Sequence, residues 1–76
     1  MSDYNANLAA AVKRVSAMDA IDKAAGFAAP RSLPPKARLL TIREALRAGV
    51  QISGTNDECI FDGMAMIEQW LAEMEA

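Results

Sequence analysis

The chain has 76 residues, a formal net charge of −2, 53% hydrophobic residues, a single cysteine and no histidine. That length allows one domain, residues 1–76. Cys59, standing alone, excludes a disulfide within the chain, and the slightly acidic balance argues against a general nucleic-acid or membrane-surface binder, which shows a basic excess. Sixteen of the hydrophobic residues are alanine, so the core is thin. A chain this short buries only ~60–65% of its unfolded surface. Set against ~1.5 kcal/mol of lost entropy per ordered residue, its core is close to break-even. Association with a second subunit is the expected supplement.

The pattern predicts an all-α, three-helix domain with helices at about 4–25, 35–48 and 56–75. In the first, Tyr4, Leu8, Ala11, Val15, Met18, Ile21 and Ala25 recur at three- and four-residue steps and form one face. Ser2 or Asp3 is placed to cap its start. Ser16-Ala17-Met18-Asp19 reads as a capping box at which the helix could restart. The stripe stays in phase across it, so one continuous helix is expected. Asp19 and Lys23 have the spacing of a supportive ion pair. Gly26 suits a left-handed end, with Phe27 placed for the hydrophobic contact that accompanies it.

Residues 28–34 form a connector, because Pro30, Pro34 and Pro35 oppose helix before them. Leu39, Leu40, Ile42 and Leu46 give the second helix its apolar face, and Gly49 is expected to end it. Residues 49–55 then read as a loop, with Val50 and Ile52 plugging the core. Thr55-Asn56-Asp57-Glu58 is a capping box that starts the third helix. Ile60, Met64, Ile67, Leu71 and Met74 follow at heptad-like steps, and Cys59, Phe61, Met66 and Trp70 widen the apolar surface. A surface that wide touches two neighbours, one being the chain's own core and the other a second subunit. Ile60, Met64, Ile67, Trp70 and Leu71 are the expected subunit contacts. Gly63 is a site for close helix approach.

Several chemistries are disfavoured. Without histidine there is no Ser-His-Asp or Cys-His arrangement and no ordinary general base, so no enzyme, cofactor or metal site is expected. Cys59 has Asp57, Glu58 and Asp62 as sequence neighbours, which disfavour a thiolate, and a buried apolar role is expected for it. The same three acids lack the spacing of a calcium loop. Ala45, Gly49 and Val50 match positions of a helix-turn-helix, but the segment that would read DNA carries Asp57 and Glu58, which repel phosphate.

The charge layout is more informative. Residues 31–47 hold Arg31, Lys36, Arg38, Arg43 and Arg47 against Glu44 alone, whereas residues 55–76 hold six acids and no base. The basic set is either a solvated face neutralised by the third helix, or a site for an acidic protein surface or a nucleotide-like anion. No charge-free stretch is long enough to span a membrane. The opening Met1-Ser2-Asp3 lacks the pattern of a secretory leader, so a cytoplasmic location is expected. The expected function is that of a small non-enzymatic interaction protein, a homo-oligomer that binds or inhibits a protein partner stoichiometrically, as many phage or mobile-element proteins of this size do. Binding of a small anion, or of DNA, is the alternative.

Overall fold

In the computed structural model, residues 3–26 and 33–75 are described, and they form three α-helices: α1 (Tyr4–Ala24), α2 (Lys36–Ser53) and α3 (Glu58–Glu75). Phe27, Pro30 and Arg31, with most of the expected connector, lie outside the described residues, as does Ser2. The all-α, three-helix expectation is met.

Asp3 starts α1 by accepting the Ala6 N–H at 3.0 Å on its carboxylate and the Asn7 N–H at 2.9 Å on its carbonyl. The helix is continuous through residues 16–19, because the stripe keeps its phase there and the second capping box has no need to act. Asp19 and Lys23 pair at 3.0 Å. Gly26, at φ +85°, provides the left-handed end, and its N–H donates to the Lys23 carbonyl.

The second helix departs from expectation. It passes through Gly49 and ends at Gly54, five residues later, where φ is +67°. Val50 decides the matter. It lies in phase with Leu39 and Leu46 and is buried, so the helix gains core contact by continuing past Gly49. The expected loop at 49–55 therefore shrinks to residues 54–57. Val50 does plug the core, but as part of a helix, and Ile52 does not, being 87% exposed.

The start of α3 also shifts. Thr55 accepts the Asp57 N–H at 3.1 Å, and the cap itself is Asp57, whose carboxylate accepts the Cys59 N–H at 2.9 Å. The Phe61 N–H then donates to the Asp57 carbonyl. Asp57 prevails over Thr55 because its carboxylate reaches the first free amides and its charge suits the positive end of the helix dipole.

α3 is the central element. Ala11 and Val15 of α1 and Val50 of α2 pack on Phe61, Met64 and Ala65 at its N-terminal half. Leu39 of α2 packs on Ile67 and Leu71 at its C-terminal half. Leu46 lies against both clusters and joins them. Asn7 meets Asn56 and Arg14 meets Asp62, so α1 and α3 advance in the same direction. Lys36 meets Glu75 and Arg43 meets Glu68, so α2 runs antiparallel to α3. α1 and α2 barely touch each other. The result is a slab of 39 × 26 × 18 Å, with α3 covered along two flanks rather than enclosed.

Candidate interaction surface

The basic residues of α2 are largely spoken for within the chain. Lys36 pairs with Glu75 at 3.2 Å. Arg43 lies 3.5 Å from Glu68 and 3.7 Å from Glu44. Arg47 pairs with Glu44 at 3.2 Å. Arg38 is exposed and makes no ion pair among the described residues. Arg31 lies outside them. The structure thus gives the neutralised-face reading its physical basis: the acidic third helix sits beside the basic second one. One further pair was not anticipated. Arg14 Nε and Nη2 both donate to Asp62 Oδ1, at 3.0 and 2.7 Å, and tie α1 to α3. Nothing in sequence spacing links residues 48 apart; only the packing of the two helices brings them together.

Between α1 and α2, the Tyr4 side chain lies beside Arg47. The pKa of Arg47 is held above its ordinary value, first by the Tyr4 side chain and then by Glu44. Yet the Tyr4 hydroxyl oxygen is buried without a partner in good hydrogen-bond geometry. The Tyr4 ring itself leans on Phe61, with centroids 5.9 Å apart, so packing is what fixes its position.

The outer side of α3 differs in character. Ile60, Gly63, Trp70 and Met74 make a seam, with Ile67, buried beside Leu39 and Leu71, at its core edge. Cys59 and Met66 lie beside it. None of these seven residues is charged. Ile60, Met66 and Met74 are 37%, 40% and 37% exposed, and Trp70 is half-buried. Nothing in the chain approaches within 4 Å of the point where a Cβ on Gly63 would stand, so that position is open. On α2, Ile42, Ala45 and Gly49 lie along the flank opposite Arg47, the residue that reaches α1. By helical register they extend the same face.

This placement divides the five residues expected at a subunit contact. Met64, Ile67 and Leu71 are buried in the chain's own core; a core built by only three helices needs them. Ile60 retains free surface, and the half-buried Trp70 packs partly against the Leu39–Ile67–Leu71 cluster. Met66, Met74 and Gly63 complete the open face. A helical wheel holds the signal for them, because the apolar residues of α3 run past its core wall onto one adjoining side.

Cys59 is exposed rather than buried. It stands two residues before Phe61, about 200° around the helix from it, so the core does not reach it. Among the described residues no group of three or more metal-ligating side chains converges, and no helix is long and apolar enough to cross a membrane. Ala45, Gly49 and Val50 lie in one unbroken helix, so the turn of a helix-turn-helix does not form there. Comparison with known protein families, with curated proteins and with solved structures finds no match.

Proposed function

We propose that this protein is a non-enzymatic interaction module that acts by stoichiometric binding through the open apolar face of α3. One observation carries the reading: the uncharged set Cys59, Ile60, Gly63, Met66, Trp70 and Met74 leaves Ile60, Met66 and Met74 partly in solvent along the side of α3 next to the wall that forms the core. Exposed apolar side chains scattered singly are ordinary on a protein surface, but a contiguous set along one helix marks a contact site. Met and Trp suit such a role, since Met adapts its shape and Trp covers a large area at low entropic cost.

The basic face gives weaker support to an acidic partner or a nucleotide-like anion, because Lys36, Arg43 and Arg47 already have carboxylates within 4 Å. An anion arriving there has to displace an existing partner.

Native mass spectrometry of protein purified gently from its own cells tests the proposal. The expected result is a bound polypeptide, either a second copy or another protein, that is lost in a folded Met66→Glu variant. A variant that retains its companion overturns the assignment to this face. A mass increment of only a few hundred daltons per site favours the anion instead.

A further inference from the structure

We draw no further inference here: the strongest candidate, the side of α3 that carries Ile60, Met66, Trp70 and Met74, belongs to the surface already described, and nothing in the structure shows what covers it.

Discussion

Gly63 stands inside α3 with open space where a side chain would be. A glycine inside a helix lowers stability by ~1 kcal/mol relative to alanine, and here no neighbour in the chain requires the missing side chain. Gly63→Ala is therefore expected to raise the stability of the isolated chain by up to about 1 kcal/mol, read from chemical denaturation at low protein concentration. Phe61 is the opposite case. It is among the most fully buried side chains, so Phe61→Ala removes ~3–5 kcal/mol, enough to unfold a domain whose total stability is of that order. The Arg14–Asp62 pair is about one-third exposed on each side, and its loss in Asp62→Asn costs no more than about 1 kcal/mol. Lys23 titrates above its ordinary value because Asp19 hydrogen-bonds it and adds its charge. A pKa raised in the folded state gives stability that is present below the unfolded value and fades only as pH rises through the folded one. The Lys23 side of the pair is thus constant through neutral pH.

At the scale of elements, the three helices were legible because each carries its own period and at least one terminal signal. What the sequence left ambiguous was which of several competing terminators acts. Gly49 and Gly54 are both good helix ends, and Thr55 and Asp57 are both good caps. Tertiary contact chose between them: Val50 continues the core phase of Leu39 and Leu46, so helix α2 runs on to Gly54. The outward exposure of Cys59 and the internal burial of Met64, Ile67 and Leu71 were hidden for a related reason. A helix apolar on two sides does not say which side its own chain will cover. The Arg14–Asp62 tie depends on the α1–α3 alignment and has no local trace. The glycine assignment yields a paired expectation. Gly54→Ala forces a left-handed backbone on a residue with a Cβ and costs ~1–2 kcal/mol, whereas Gly49→Ala lies in a regular helix with open space and stabilises by up to ~1 kcal/mol. Similar effects at the two sites rule out the helix end at Gly54. Along α1 the apolar stripe outlasts its cover: Ala11 and Val15 are buried, but Met18 and Ile21, in the same phase, are 60% and 66% exposed. The amides of residues 18–24 are accordingly expected to exchange with solvent faster than those of residues 8–15, as local opening there breaks few contacts.

At the scale of the whole molecule, nine buried hydrophobic residues, several of them small, support the described fold. That is a slender core for a chain that pays entropy at every ordered position, and it ties stability to association. If the folded chain pairs and the unfolded chain does not, mass action makes the melting temperature rise with protein concentration. Met66→Glu is expected to remove that dependence while leaving the melting temperature at the lowest concentrations nearly unchanged, since Met66 takes no part in either core cluster. Ionic strength then separates the two candidate surfaces. The α3 seam carries no charge, so pairing through it should hold or strengthen as salt is added, because screening acts on exposed charges and salts excluded from the surface favour burial. Association through the cationic side chains of α2 depends on unscreened charge and should weaken over the same titration. Sedimentation across a salt series, on the wild type and on an Arg38→Ala variant, reads the difference directly. Association that persists in salt and ignores Arg38 locates the contact on α3. Association lost in both places it on the one described α2 cation that lacks an ion-pair partner.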